Sequence, residues 1–162
     1  MILETSFNIK NVFEKVFKLT DAQFKNNGIL FVKNIEEFEL FGFENEFIQA
    51  IINILNNAKD ALEKVENPKL IFISTYKKDD IATIKISDNA GGIDEKIIDK
   101  VCEPYFTTKH QSKGTGIGLY MTEEIIVKHM LGNLSIKNVD INYENKNYKG
   151  TEITIILYNA IK

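Results

Sequence analysis

Apolar residues recur along the chain with a helical period in some stretches and alternate with polar residues in others. Residues 9–26 keep near-helical spacing, and Gly28 is placed to end that helix. A longer helix is predicted over about 44–65, where apolar residues hold a 3.6-residue period until Pro68. A third helix is predicted over 118–130.

Strands are predicted where apolar and β-branched residues cluster between polar turns. In chain order they are 29–32, 39–41, 69–77, 81–87, 133–138 and 151–158. The third and fourth form a hairpin around residues 78–80, and the last two are joined by a polar turn at 142–150. Strands in hairpins, with helices between them, predict an α/β two-layer sandwich of the α+β type. Its sheet is mixed, mostly antiparallel, and covered by helices on one face.

One stretch shows neither the helical period nor the alternating pattern of a strand. Residues 88–118 are rich in Gly, Thr and Lys, and only a short helix near 94–101 is predicted within them. A loop of this length is uncommon in a compact domain, and long loops often form lids or binding loops. We therefore expect this stretch to contain a lid over a binding site.

The composition excludes several classes of protein. A chain of 162 residues suits one domain, and a net charge of −3 gives no bulk attraction to nucleic acid or to an anionic membrane. Since the chain has no Arg, a phosphate must be bound by Lys, backbone N–H groups, a metal or neutral polar side chains. Cys102 is the only cysteine, which excludes an internal disulfide and favours a reducing compartment. No apolar run approaches the roughly 20 residues that span a bilayer, so a cytoplasmic protein is predicted.

The first chemical motif lies on the long helix. Asn53, Asn57 and Asp60 are spaced i, i+4 and i+7, so they share one face. A carboxamide oxygen is a hard neutral ligand suited to Mg²⁺, which also uses waters and substrate phosphates. A solvated helix face with spare amides explains the same pattern, and the spacing alone does not decide between the two.

The second motif, Asp88 to Ile93, directly follows a predicted strand and reads DNAGGI. A carboxylate at a strand end can accept a hydrogen bond from an adenine amino group. The adjacent Gly91 and Gly92 would let the backbone approach a flat base. An Asx turn is the alternative interpretation.

The third motif, at residues 103–109, reads EPYFTTK. An aromatic pair can pin a mobile loop to the body of a protein, while the Thr and Lys residues face phosphates. A turn nucleated by Pro104, with ordinary aromatic packing, is the alternative.

The fourth motif, at residues 113–119, reads KGTGIGL and opens the third predicted helix. Alternating glycines free the backbone N–H groups of a helix start to meet an anion, and Lys113 adds positive charge there. A flexible hinge is the alternative. The spacing fits neither the dinucleotide-binding G-x-G-x-x-G pattern nor the phosphate loop of P-loop enzymes.

In order and spacing, the four motifs resemble the N box, first glycine box, F box and second glycine box of sensor histidine kinases. The resemblance is to their ATP-binding catalytic domain, of the GHKL superfamily, and it covers about residues 44–158. Gln49 before the first motif and Gly150-Thr151 at the last strand also fit. The resemblance implies the Bergerat fold, in which ATP lies between the helical layer and a lid.

The resemblance also implies a set of site residues. Asn57 corresponds to the Mg²⁺-binding asparagine, Asp88 to the adenine-reading aspartate, and Thr151 to a residue that supports the adenine site. The full implied set is Asn53, Asn57, Asp60, Asp88, Gly92, Ile93, Thr107, Thr108, Lys109, Lys113, Gly114, Thr115, Gly116, Gly118, Leu119 and Thr151.

Two positions depart from the family pattern. Ala90 replaces the first glycine of the usual D-x-G-x-G, so the loop is expected either to avoid positive φ there or to accept some strain. Asp60 stands where some members carry a basic residue and others an Asp, so phosphate contact from that position is in doubt. These departures alter details of the site rather than the class of protein.

The related gyrase, mismatch-repair and heat-shock ATPases carry a Glu one helical turn before the metal-binding asparagine. That position here is Asn53, and an amide cannot take a proton from water. The resemblance therefore implies an ATP-dependent protein-histidine kinase rather than a hydrolase. His110 is expected to be a solvated lid residue and His129 to cap a helix end, so the acceptor histidine is predicted in another domain.

The predicted organisation is a linker, the end of a dimerisation helix and a first helix over 1–27, followed by the catalytic domain over 28–162. The implied cofactors are ATP and Mg²⁺. The implied partners are a histidine-bearing dimerisation domain and, indirectly, a response regulator, with no nucleic acid, no direct membrane contact and a monomeric isolated domain. Two alternatives stay open: a stand-alone protein-serine kinase of the anti-sigma type, and an inactive nucleotide-binding signalling module.

Overall fold

The computed structural model describes residues 3–66, 68–101, 118–158 and 160–161. In chain order the elements are β1 (Thr5–Asn8), α1 (Ile9–Asn26), β2 (Ile29–Ile35), β3 (Glu39–Gly42), α2 (Glu44–Leu62), β4 (Lys69–Lys78), β5 (Ile81–Asp88), α3 (Gly118–Glu123), β6 (Asn133–Tyr143), β7 (Lys146–Leu157) and β8 (Ala160–Ile161). A single 3₁₀ turn (Ile98–Lys100) follows β5, and a π-helical segment (Glu124–His129) continues α3.

Five strands form the main sheet, in the order β2-β4-β5-β7-β6. Strands β2 and β4 run parallel, and the other neighbours run antiparallel, which confirms the predicted mixed, mostly antiparallel sheet. A second, smaller sheet has the strand order β1-β3-β8. Neither β1 nor β8 was predicted, and the two residues of β8 are too few to show an alternating pattern.

The core lies between one face of the main sheet and the helices. Alternate sheet residues such as Ile84 and Ile155 are fully buried, and they join one cluster with Phe47, Ile51 and Leu55 of α2. Each such side chain contributes about 1.5–3 kcal/mol by leaving water. This confirms the helical layer on one side of the sheet.

Helix α1 begins and ends as its sequence dictates. The Asn8 side chain accepts hydrogen bonds from the backbone N–H groups of Lys10 (2.8 Å) and Asn11 (3.2 Å), which caps the first turn. Gly28 follows the last turn with φ of +75°. The buried face of α1 belongs to the same core as α2. The division between residues 27 and 28 stays a prediction.

Several element boundaries differ from expectation, including strand β2, which runs to Ile35, and the short helix predicted near 94–101, which is a 3₁₀ turn at Ile98–Lys100. Helix α2 ends at Leu62 rather than near residue 65. The predicted third helix becomes π-helical after Glu123. The polar stretch 142–150 is mostly strand, because a two-residue turn at Glu144 and Asn145, both with positive φ, joins β6 to β7. None of the described helices is long and apolar enough to cross a membrane.

Candidate functional site

Strand β5 ends at Asp88, a carboxyl group buried in the protein with 7% of the residue exposed. Its Oδ1 accepts a hydrogen bond from the backbone N–H of Ala90 at 3.0 Å. Burial raises the pKa of Asp88 to about 6, although hydrogen bonds to the backbone of Ala90 and Thr151 act in the opposite direction. A carboxyl group kept here despite this cost suggests a polar ligand group for it to meet.

Gly150 lets strand β7 approach the end of β5. A Cβ atom at this position would overlap the backbone carbonyl oxygen of Asp88. The next residue, Thr151, is buried and lies directly opposite Asp88 in the antiparallel ladder. The Gly150-Thr151 pair noted in the sequence therefore has a packing reason, because only glycine fits beside the Asp88 carbonyl.

Asn89 ties the strand end to the start of β4. Its buried side chain accepts a hydrogen bond from the backbone N–H of Leu70 (2.9 Å) and donates one to the carbonyl of Pro68 (2.9 Å). No separate role was predicted for Asn89, since a bond between residues 19 apart leaves no local signal. Both polar ends of Asn89 are satisfied, so it fixes the backbone on which Asp88 is carried.

The two glycines after Asp88 adopt the left-handed conformation that favours glycine, with φ of +95° at Gly91 and +90° at Gly92. Positive φ at described non-glycine residues occurs at Asp79, Leu131, Glu144 and Asn145. Ala90 is not among them, so of the two expected outcomes at that position the avoidance of positive φ is confirmed.

Three polar residues form the predicted row on α2. Asn53, Asn57 and Asp60 are all half-buried, while Ile54, Leu55 and Ala58 between them are buried. The Asn53 Oδ1 accepts a hydrogen bond from Gln49 Nε2 at 2.8 Å. Among the residues that the structure describes, the Asn57 side chain makes no hydrogen bond. Asn57 is thus the group of this row with an unused carboxamide oxygen.

A divalent cation at this site would need amide and ligand oxygens. In the described ranges, no group of three or more His, Cys, Asp and Glu side chains could hold a metal ion. The half-buried carboxamide of Asn57 nevertheless fits Mg²⁺, a hard cation that keeps several waters and binds substrate phosphates. Residues 53, 57 and 60 therefore fit a metal held jointly with a phosphorylated ligand.

The second glycine motif is described only at its end. Gly118 is exposed at the first position of α3, and a Cβ there would meet nothing within 4 Å. Leu119 is buried in the core. The remaining predicted lid residues lie outside the described residues: Thr107, Thr108, Lys109, Lys113, Gly114, Thr115 and Gly116. His110 is also outside them, whereas His129 Nδ1 lies 2.8 Å from Glu46 Oε1 rather than capping a helix end.

The structure brings the described part of the predicted site to one end of the sheet. Asp88 and Thr151 are ladder neighbours. Gly92 and Ile93 lie beside Asn138 of strand β6. Helix α2, which carries the polar row, packs against β5. The arrangement presents a buried carboxyl group and glycine backbone on the sheet and spare amides on the neighbouring helix.

The sequence profile of the family described as histidine kinase-, DNA gyrase B-, and HSP90-like ATPase matches residues 42–160. The chain belongs to this family. An NtrY-like sensor histidine kinase of Rickettsia conorii is 34% identical over 130 residues, covering 75% of this chain and 21% of the relative. Sporulation kinase A of Bacillus subtilis is 31% identical over 124 residues, covering 75% and 20%. The chain thus spans about a fifth of the length of the curated relatives it matches.

Solved structures of histidine kinases have the same fold. The catalytic domain of histidine kinase ThkA superposes with a TM-score of 0.79 at 23% identity, covering 97% of this chain and 96% of that domain. Full-length ShkA, solved in complex with AMPPNP, gives a TM-score of 0.79 at 15% identity, covering 100% of this chain and 32% of ShkA. ThkA has also been solved in complex with the response regulator protein TrrA. At these identities the likeness establishes the histidine-kinase-like ATPase fold.

Proposed function

We propose that the chain is the ATP-binding catalytic domain of a sensor histidine kinase in a two-component system. It would bind Mg-ATP and transfer the γ-phosphoryl group to a histidine on a separate dimerisation domain. The observation that carries this proposal is the buried Asp88 carboxyl at the end of β5, beside the left-handed Gly91 and Gly92 and next to the polar row of α2. The matched relatives, one named a sensor histidine kinase and the other a sporulation kinase, support the same class.

Asp88 is proposed to read the adenine base. Its carboxylate oxygen would accept a hydrogen bond from the exocyclic amino group, which a guanine base lacks at the same position. Gly92 and Ile93 would lie against the base, since a glycine backbone permits close contact with a flat ring. Thr151, buried opposite Asp88, would support the carboxyl group in this orientation.

Asn57 is proposed as the protein ligand of Mg²⁺. When bound, the metal would neutralise charge on the phosphate oxygens. Asn53, one helical turn earlier, would contact phosphate or a metal-bound water, and its orientation is fixed by Gln49. Asp60 completes the polar row at the next turn, where a basic residue would be needed for a direct phosphate contact.

The residue at position 53 favours a kinase over a hydrolase. A general base must accept a proton from water, and the carboxamide of Asn53 has no basic site for it. The nucleophile is therefore proposed to be an imidazole nitrogen of another domain. Its bond to the γ-phosphorus forms as the bond from that phosphorus to the β,γ-bridging oxygen breaks, and ADP leaves. Predicted lid residues Thr107, Thr108, Lys109 and Lys113 would close over the triphosphate.

The remaining partners follow from this role. The phosphorylated histidine would pass its phosphoryl group to a response regulator, so that protein is an indirect partner. We place the domain in the cytoplasm, where ATP and Mg²⁺ are available, and the parent kinase is free to be membrane-anchored. The Bergerat arrangement of helices, sheet and lid around one nucleotide belongs to the same proposal.

A titration with a non-hydrolysable ATP analogue, with and without Mg²⁺, tests binding. The expected result is saturable binding that strengthens with Mg²⁺. Addition of ATP and a histidine-bearing dimerisation domain should then give acid-labile, alkali-stable phosphate on that domain, with little ATP hydrolysis in its absence. Phosphate on serine would identify an anti-sigma-type kinase, and binding without any transfer would identify an inactive nucleotide-binding module. No binding of the analogue would contradict the whole proposal.

A further inference from the structure

Asn138 lies on strand β6, at the edge of the main sheet, outside the four sequence motifs. In the ladder it is opposite Thr151, and Thr151 is opposite Asp88. Directly opposed residues project from the same face of a sheet. Asn138, Thr151 and Asp88 therefore form one row across β6, β7 and β5 on the side where the nucleotide is proposed to bind.

The Asn138 side chain clamps the loop that follows Asp88. Its Oδ1 accepts a hydrogen bond from the backbone N–H of Ile93 at 2.7 Å, and its Nδ2 donates to the carbonyl of Ile93 at 2.7 Å. The same Nδ2 lies 2.9 Å from Glu95 Oε1. One carboxamide thus pairs with both backbone groups of Ile93, as a neighbouring strand would.

The clamp also explains the glycine next to Ile93. A Cβ atom at Gly92 would lie 2.8 Å from Asn138 Oδ1 and 3.2 Å from Asn138 Cγ. Real Cβ atoms essentially never come as close as 2.8 Å, so the carboxamide fills the space that a residue 92 side chain would take. Gly92 and Asn138 are therefore complementary in shape, although Asn138 lies 45 residues after Ile93 in sequence.

Other hydrogen bonds hold only the first part of this loop. Among the described residues, the Asn89 side chain bonds to Leu70 and Pro68, and the Gly91 N–H donates to the Lys149 carbonyl at 2.9 Å. The bonds from Ile97 and Ile98 to the Asp94 carbonyl are local to the following turn. Strand β6 itself pairs with β7 without a break from Asn133 to Tyr143, so its backbone does not need the Asn138 side chain.

We propose that Asn138 is a positioning residue of the nucleotide site, holding Gly92 and Ile93 at a fixed height above Asp88 so that the adenine ring fits between loop and helix. This inference rests on the proposed function. A gap of about 0.5–1 Å already forfeits a quarter to a half of the dispersion attraction to a flat ring, so a loop that shifts outward binds the base more weakly while the phosphate contacts remain. The residue acts through the loop and does not itself touch the reacting atoms.

Calorimetric titrations with ADP and GDP test the proposal on three variants. Asn138→Ala removes both bonds to Ile93. Asn138→Asp keeps the shape and one acceptor but sets a carboxylate against the Ile93 carbonyl and Glu95. Asn133→Ala is the matched control, because it removes an asparagine from the same strand whose Nδ2 donates to the Tyr158 hydroxyl at 2.6 Å. Thermal midpoints are recorded for every variant.

The expected result is an ADP affinity about tenfold weaker in both Asn138 variants, with a smaller ratio of ADP to GDP affinity. The Asn133→Ala control should bind like the wild-type protein. The positioning role would be overturned if both Asn138 variants bound ADP with wild-type affinity. It would also be overturned if the affinities for ADP and GDP fell equally and in proportion to a drop in the thermal midpoint. A wild-type protein that fails to bind ADP would instead overturn the proposed function and this inference with it.

Discussion

The strand end and the helix face of the candidate site are built in opposite ways. At the strand end, Gly150 has no room for a side chain, Asn89 has both polar ends bonded, and Asp88 is buried. On the helix face, Asn53 and Asn57 are half-buried, and the described contact of this pair is a single bond from Gln49. One half is fixed by packing, whereas the other leaves polar groups for a ligand.

This difference shows what each half of a binding site requires. A flat base is recognised by shape and by one hydrogen bond, so its half must be rigid before the base arrives. A metal-bound triphosphate carries its own waters and charges, so its half needs available oxygens more than rigidity. Substitutions at the strand end should therefore change stability and binding together, whereas those on the helix face should change binding alone.

The largest effect is expected at Gly150. The change Gly150→Ala places a Cβ into the carbonyl of Asp88, so β7 must move away from β5. We expect a loss of at least about 3 kcal/mol in the free energy of unfolding, measured by urea titration. The matched control is Gly118→Ala, where the added Cβ meets nothing within 4 Å and the change should stay within about 1 kcal/mol. Equal midpoints for the two variants would show that the strand end is not rigid.

The same contrast explains how much of the site was predictable. The start of α2, the hairpin of β4 and β5, and the row of Asn53 and Asn57 follow from periodicity and local motifs, and the structure has them at those places. Local pattern cannot reveal pairings between distant strands, so the clamp by Asn138 and the bonds of Asn89 left no signal in sequence. The need for glycine at 150 became clear only once β7 lay beside β5.

The extent of helices and turns was predictable only in part. The segment from Glu124 to His129 is π-helical, but its apolar residues are spaced as in an α-helix. A π-helix and an α-helix both bury one side, so the spacing does not distinguish them. The segment ends at His129, and Gly132 follows where the chain has no room for a side chain, since a Cβ there would lie 2.5 Å from the carbonyl oxygen of Ile156. The predicted long turn before β7 was wrong. Exposed polar residues are typical of turns, but they also occur in the exposed end of a hairpin such as β6 and β7.

Asp88→Asn should change both stability and binding at the strand end, but in opposite directions. The folded-state pKa of about 6 lies above the ordinary value of 3.8, so the folded protein holds the proton more tightly. The free energy of unfolding of the wild type should therefore fall as pH rises from about 4 to about 6. The variant lacks this loss and should be more stable at pH 7 by up to about 3 kcal/mol.

Binding should change in the other direction. The asparagine can place an N–H group where the adenine amino group needs an acceptor, so ADP affinity should fall about tenfold or more. Urea titrations at pH 4 and pH 7, with calorimetry at pH 7, provide both measurements. A variant that is no more stable than the wild type at pH 7 would show that burying the Asp88 carboxylate does not destabilise the protein. Unchanged ADP affinity would show that Asp88 does not contact the base.

Asn57→Ala should alter the helix face without altering stability. Loss of the carboxamide should remove most of the Mg²⁺-dependent gain in affinity for an ATP analogue, a change of about tenfold or 1.4 kcal/mol. The thermal midpoint should stay within a few degrees of wild type, because the side chain makes no described hydrogen bond. Asn56→Ala is the matched control, as the neighbouring asparagine points about 100° away around the helix. An equal loss in both variants would reject a specific metal ligand at position 57.

The smallest effect is expected at Gln49, which lies one turn before Asn53. Gln49→Ala removes the 2.8 Å bond to Asn53 Oδ1, a pair of the kind that contributes about 0.2–0.5 kcal/mol on a helix surface. If the helix face needs availability more than rigidity, affinity for the Mg²⁺-bound ATP analogue should fall less than about threefold. Asn45→Ala, at an exposed position one turn earlier, controls for the loss of a surface amide. A tenfold loss in Gln49→Ala alone would mean that Asn53 must be held in place, and the two halves of the site would then follow the same rule.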